Sequence, residues 1–169
     1  GPGFVRGIRR KGVQLAARRA LVVGSGGVGC AIAASLAQAG VAELALFDVN
    51  DASAQALAGR LHREYPGLPV RTGSADPQGF NLVVNATPLG MNADDPLPFD
   101  VDRLQPGTMV GEVVMRSETT ALLAAAQARG CPVQVGTDML FEMIPAYLEF
   151  FELPSTTPER VRSPARLQD

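Results

Sequence analysis

The run Gly24-Ser25-Gly26-Gly27-Val28-Gly29 places three glycines at the spacing G-x-G-x-x-G. A chain that cradles a pyrophosphate needs glycine at those places. The first allows a tight turn, the second lets the backbone approach the phosphates, and the third lets the next helix pack closely on a sheet. The spacing alone is a weak signal. Here it directly follows the short apolar run Ala20-Leu21-Val22-Val23 and leads into an alanine-rich stretch, Ala31 to Ala39, stopped by Gly40. A strand, a glycine loop and a helix N-terminus in that order aim backbone N–H groups and the positive end of a helix dipole at an anion. The competing reading, a turn that merely joins two elements, does not account for that order.

Asp48 ends a second apolar run about twenty positions beyond the last glycine, where a carboxylate can accept hydrogen bonds from an adenosine ribose. The same carboxylate would repel a 2′-phosphate, and no arginine follows until Arg60, so the sequence favours NAD over NADP. Asn50 and Asp51 follow closely, and a second reading has Asp48 simply capping that turn. Other chemistry is sparse. Cys30 and Cys131 stand apart from any metal-ligand spacing and read as small apolar residues, so no metal site is expected. The single histidine, His62, lies among Arg60, Arg63 and Glu64 on a face that should be solvated, and Lys11 is the only lysine.

The elements that would position these residues alternate along the chain. A basic amphipathic helix is expected over Phe4 to Arg19, then strands over Ala20–Val23, Glu43–Phe47, Pro69–Thr72, Asn81–Asn85, Thr108–Val113 and Val133–Val135. Helices are expected over Ala31–Ala39, Ala52–Tyr65, Thr120–Arg129 and Met139–Glu152, the last with Pro145 as a kink or a new start. The prolines and acidic residues from Ala86 to Asp100 make a long loop. Unbroken apolar strands alternating with helices predict an α/β domain: a Rossmann-type, doubly wound, mostly parallel sheet with helices on both faces. The expected organisation is a linking helix over 1–19, a dinucleotide-binding domain over 20–153 and a polar, mobile tail over 154–169.

Composition narrows the classes further. With 46% hydrophobic and 19% charged residues and a net charge of -2, the chain has no excess charge to draw it to nucleic acid or anionic membranes. Its apolar runs are short and interrupted, and the basic N-terminus lacks a signal-peptide hydrophobic stretch, so no membrane span is expected and a cytoplasmic location follows by default.

Three further segments join the glycine loop: Asn85-Ala86-Thr87-Pro88-Leu89-Gly90-Met91, Gly136-Thr137-Asp138-Met139-Leu140, and Gly3-Phe4 near the start. Together they resemble the shikimate and quinate dehydrogenase family, over Gly3 to about Phe151. The resemblance implies a two-domain oxidoreductase that moves a hydride between a nicotinamide cofactor and the C3 hydroxyl or ketone of a small cyclic hydroxy acid. It also implies that this chain is the cofactor-binding half. The family's catalytic lysine and aspartate belong to an N-terminal substrate domain that is not in this sequence, so the resemblance assigns no catalytic residue here and predicts no turnover by this chain alone.

By position, the resemblance puts nicotinamide-side contacts on Asn85, Ala86, Thr87, Val113 and Gly136. Asp48-Val49-Asn50 is similar to the NAD-using members rather than to those with Asn-Arg-Thr. Met115 and Met143 stand on the expected substrate side, where the family often has a tyrosine and a glutamine; ordinary packing is the alternative for both. A different class of function, a non-catalytic NAD-binding sensor or assembly module, fits the missing acid–base pair. An apolar surface left uncovered by a substrate domain would favour self-association, a homodimer included.

Overall fold

Apolar runs of four or five residues have no polar face to turn to water, so they are stable only where both sides of the sheet are covered. A computed structural model describes residues 1–116, 119–150 and 156–165. In it such runs form β1 (Arg19–Val23), β2 (Glu43–Phe47), β4 (Leu82–Asn85) and β5 (Met109–Glu112), and the shorter, more polar segments Val70–Thr72 and Val133–Gln134 form β3 and β6 at the two edges. They make one six-stranded sheet in the order β3-β2-β1-β4-β5-β6. Every pairing is parallel. The helices are α1 (Pro2–Arg10), α2 (Gly27–Gln38), α3 (Asp51–Glu64), α4 (Ala121–Ala128), α5 (Gly136–Phe150) and α6 (Pro158–Ala165).

Alternation along each strand sends side chains to two cores. Ala20 and Val22 of β1 join Ile32, Leu36, Leu57 and Leu61 from α2 and α3 on one face. Leu21 and Val23 join Leu122, Leu123 and Ala126 of α4 on the other. α1 belongs to the first face: Phe4 and Ile8 are both 0% exposed, and the buried Gln134 amide donates to the Phe4 carbonyl at 2.9 Å. Strand order reverses between β1 and β4, and in sheets of this kind a crevice opens at the carboxyl ends of the strands at that point.

Several boundaries differ from the sequence expectations. The first helix does not run from Phe4 to Arg19; it begins at Pro2 and ends at Arg10, because Gly12 at φ 77° turns the chain left-handed. The second helix starts at Gly27 rather than Ala31, so the last glycines of the loop already form its first turn. The fifth starts at Gly136 rather than Met139 and runs through Pro145 as a single helix; Phe151 and Glu152 lie outside the described residues. Within the expected tail, Pro158–Ala165 is helical, and Glu159 pairs with Arg10 of α1. Residues 154–155 and 166–169 lie outside the described part. Among the described residues, no helix is long and apolar enough to cross a membrane.

Candidate functional site at the carboxyl ends of the strands

The glycine loop links β1 to α2, and its glycines divide the work. Gly24 has φ 105°, a region costly for any residue with a Cβ, and a Cβ there would lie 2.7 Å from the Ala86 backbone. At Gly29 a Cβ would come within 2.0 Å of the Gly24 carbonyl oxygen, so this glycine lets α2 sit against the strand end. Around Gly26 and Gly27 a Cβ would meet nothing within 4 Å: these two face open space. Gly26 is the N-cap of α2 and offers no side-chain cap. The first-turn N–H groups of a helix with no such cap are available to an outside anion.

Asp48, at the end of β2, ties this loop down. One carboxylate oxygen accepts the Ser25 N–H at 2.6 Å and the other accepts the Asn50 N–H at 2.9 Å. The capping reading of Asp48 is therefore realised, and the Ser25 N–H is already engaged. Two hydrogen bonds leave a carboxylate with about two further acceptor sites. Asn50 is the exposed N-cap of α3 and makes no side-chain cap bond. The Ser25 hydroxyl is buried without a partner.

Opposite the glycine loop stands the turn after β4. Asn85 is 0% exposed, and its side chain is engaged within that turn. Its Oδ1 accepts from the Thr87 N–H at 3.1 Å and from the Thr87 hydroxyl at 2.6 Å, while its Nδ2 donates to the Leu89 carbonyl at 2.9 Å. Asn85 thus shapes the turn, and Ala86, Thr87 and Pro88 are what it presents. Further along, Asp95 accepts the Gly90 and Asn92 N–H groups at 3.0 and 2.9 Å and closes the loop on itself. Those bonds, the Asn92 N–H first, hold the Asp95 carboxyl below the ordinary carboxylate range.

Two grooves of about 380 Å³ each meet at Gly26 and residues 86–88. One runs past Gly24, Phe47, Asp48 and Val49 and is walled mainly by apolar surface. The other runs past Gly27, Val28, Met91, Val113, Val114 and Met115. The loop thus stands between two pockets at the strand reversal, a shape suited to a ligand with two rings and an anionic centre.

The remaining expected residues are placed unequally. Val113 lines the second groove, and its N–H donates to the Asn85 carbonyl at 3.1 Å. Gly136 is buried behind it, so close that a Cβ would lie 2.1 Å from the Val114 carbonyl oxygen. Met115 is 44% exposed at the groove mouth. Met143 is elsewhere, packed under α1 with its Cγ 2.6 Å from where a Gly3 Cβ would stand. His62 is exposed in the last turn of α3. Lys11 pairs with Asp138 at 2.9 Å and donates to the Val133 carbonyl at 3.1 Å. Cys30 and Cys131 are free thiols, and among the described residues no cluster could hold a metal ion.

Sequence reasoning missed Glu112. It ends β5 beside Asn85, is 0% exposed, and neither carboxylate oxygen has a hydrogen-bond partner. Burial pushes its carboxyl above the ordinary range; the Thr120 hydroxyl and the Asn85 side chain pull the other way without closing a hydrogen bond. The available signal was one charged residue inside the apolar stretch Met109 to Val114.

The strand order, the glycine loop and the crevice at the reversal define a Rossmann-type domain. The ThiF family profile matches residues 6–62, the segment that carries the glycine loop. Shikimate dehydrogenase (NADP(+)) of Rubrobacter xylanophilus is 40% identical over 149 residues, 83% of this chain and 51% of that protein. Quinate/shikimate dehydrogenase (NAD(+)) of Corynebacterium efficiens is 36% identical over 167 residues, 95% of this chain and 58% of the relative. Among solved structures, quinate dehydrogenase from Corynebacterium glutamicum in complex with NAD superimposes with a TM-score of 0.82 at 33% identity, over 95% of this chain and 58% of that one. Shikimate 5-dehydrogenase from Thermus thermophilus in complex with NADP(H) and shikimate gives 0.83 at 27%, over 98% and 60%. Over the part it spans, the chain is similar to the shikimate and quinate dehydrogenases, and it spans about half the length of the curated relatives it matches.

Proposed function

We propose that this chain binds a nicotinamide dinucleotide across the two grooves and serves as the cofactor-binding part of an oxidoreductase acting on a small cyclic hydroxy acid. The observation that carries the reading is the open cradle at Gly26 and Gly27, set between two pockets that meet over it. Backbone N–H groups at the start of α2 hold the pyrophosphate, and the groove past Asp48 and Val49 takes the adenosine. The groove past Val113 and Met115 takes the nicotinamide, which accepts or donates the hydride. Residues 20–153 form the binding unit. Solved relatives carrying NAD, or NADP(H) with shikimate, support the ligand classes.

NAD is the preferred cofactor. A 2′-phosphate beside Asp48 would meet an acceptor-only group already fixed by two N–H donors, with Val49 and Asn50 offering no positive charge. This chain alone does not turn over substrate: its only lysine is held by Asp138 and its only histidine lies on the outer face of α3, so neither serves the grooves.

Calorimetric titration with NAD and NADP, on wild type and on Gly26→Val, tests the reading. NAD binds wild type more tightly than NADP, and the valine abolishes binding by filling the cradle, where a Cβ at position 26 meets nothing within 4 Å. Equal binding by the variant refutes the placement. A folded wild type that binds neither dinucleotide instead favours a module that has kept the fold without the ligand.

A further inference from the structure

Glu112 sits one strand away from the glycine loop and lines neither groove, yet it is a fully buried carboxyl with both oxygens unpartnered. A buried polar group without partners is costly, so its presence at a strand end points to work done on its neighbours. Those neighbours are informative. Asn85 is its register partner on β4 and organises the Thr87 turn through its side chain. Thr120 is the N-cap of α4, and its hydroxyl oxygen accepts the Leu123 N–H at 3.3 Å. Pairing in register and alternation along the strands put Asn85 and Glu112 on the same face of the sheet, the face that α4 covers.

We propose that Glu112 is a positioning residue for the dinucleotide cleft, set behind Asn85 and Thr120 so that it holds the 85–87 turn and the start of α4 in fixed relation. The inference rests on the reading of the grooves as a dinucleotide site. In its neutral form the carboxyl offers these two neighbours both a donor and an acceptor, where an ionised carboxylate offers acceptors alone. Burial favours that neutral form. The groups facing it from β4 and α4, Asn85 and Thr120, are uncharged, and among the described residues no charged side chain shifts it. Ionisation therefore leaves a buried charge without a counter-ion and loosens the turn that forms one wall of the cleft.

The test uses the full chain with NAD as the probe, comparing wild type with Glu112→Gln and Glu112→Leu. Calorimetry gives the affinity from acidic to alkaline pH, and amide exchange follows Thr87 and Leu123, whose N–H groups report the two turns. Glu112→Gln should keep both amides protected, match wild type at acidic pH and abolish the weakening of wild type at alkaline pH. Glu112→Leu should bind NAD about tenfold more weakly throughout and expose both amides, since it supplies no hydrogen-bonding group. Wild-type protection of both amides in Glu112→Leu overturns the proposal, as does a pH profile shared by wild type and Glu112→Gln. Should Glu112→Leu fail to fold, the Gln profile decides. A wild type that binds no NAD refutes the cleft reading and this inference with it; NAD binding unchanged in both variants refutes this inference alone.

Discussion

Gly26 and Gly29 lie three residues apart in one loop, yet they should respond oppositely to alanine. A Cβ on Gly29 would stand 2.0 Å from the Gly24 carbonyl oxygen and 2.8 Å from its carbon, where real Cβ contacts stay beyond 3.0 Å. Both atoms are backbone, fixed by β1 and by the Gly24 N–H bond to the Phe47 carbonyl at 2.7 Å. Helix α2 must therefore move away by roughly 1 Å, against Ile32, Ala33 and Leu36 in the core. Overpacking of this kind costs about 1–3 kcal/mol, out of a total near 5–15 kcal/mol for a domain. For a chain of this size each kcal/mol lowers Tm by roughly 2–4 °C, so Gly29→Ala should melt roughly 2–12 °C early. Gly26→Ala meets nothing and has φ -70°, so it should change stability by less than about 1 kcal/mol, in either direction. Scanning calorimetry of the two variants, with NAD titration of each, separates packing from binding. Equal melting points for Gly29→Ala and wild type, or a Gly26→Ala variant as destabilised as Gly29→Ala, would refute the division of labour.

Asp48→Asn removes the charge while keeping an oxygen for one of the two N–H groups; NAD affinity should fall about tenfold and the preference over NADP should narrow, read by parallel titrations. Glu112 should govern part of the pH dependence of folding. Its folded-state pKa is raised, so its contribution to stability is full below the unfolded carboxylate pKa and is lost as pH rises through the folded value. Glu112→Gln should therefore gain stability relative to wild type between mildly acidic and alkaline pH, and denaturant melts showing parallel curves would contradict this. Phe4 is 0% exposed and its ring packs over Gly111, so Phe4→Ala should cost about 3–5 kcal/mol by denaturant titration; a cost under about 1 kcal/mol would show that α1 is dispensable to the core.

The sheet was legible because its four central strands are short apolar runs closed by glycine, asparagine or a charged residue, and a pattern without a polar face fits only a doubly covered sheet. The glycine loop was legible through its place between such a run and an alanine-rich helix. Where helices begin was less so: Gly27 to Gly29 read as loop, because glycine carries no helical pattern, although backbone geometry puts them in the first turn of α2. The end of α1 was misjudged because Val13 and Leu15 continue an apolar spacing past Lys11, while the backbone turns left-handed at Gly12 and again at Ala17. The packing of Met143 was not legible either, since it depends on how α5 meets α1 beside Gly3, a contact invisible in either segment alone. Glu112 stayed hidden for a similar reason: a carboxylate at a strand end ordinarily reaches water, and this one is buried beside Asn85 and Thr120.

A dinucleotide bound in the cleft must cross the start of α2 with one end in each groove. Amide chemical-shift mapping with NAD on the wild-type chain tests this most directly. Large shifts should fall on Gly26, Gly27, Val28, Thr87 and Val113, with smaller ones at Asp48 and Val49. The groove at the far end of α2, lined by Ala37, Val41 and Tyr65, should stay silent. Shifts confined to that groove, or none at saturating NAD, would contradict the assignment of the cleft.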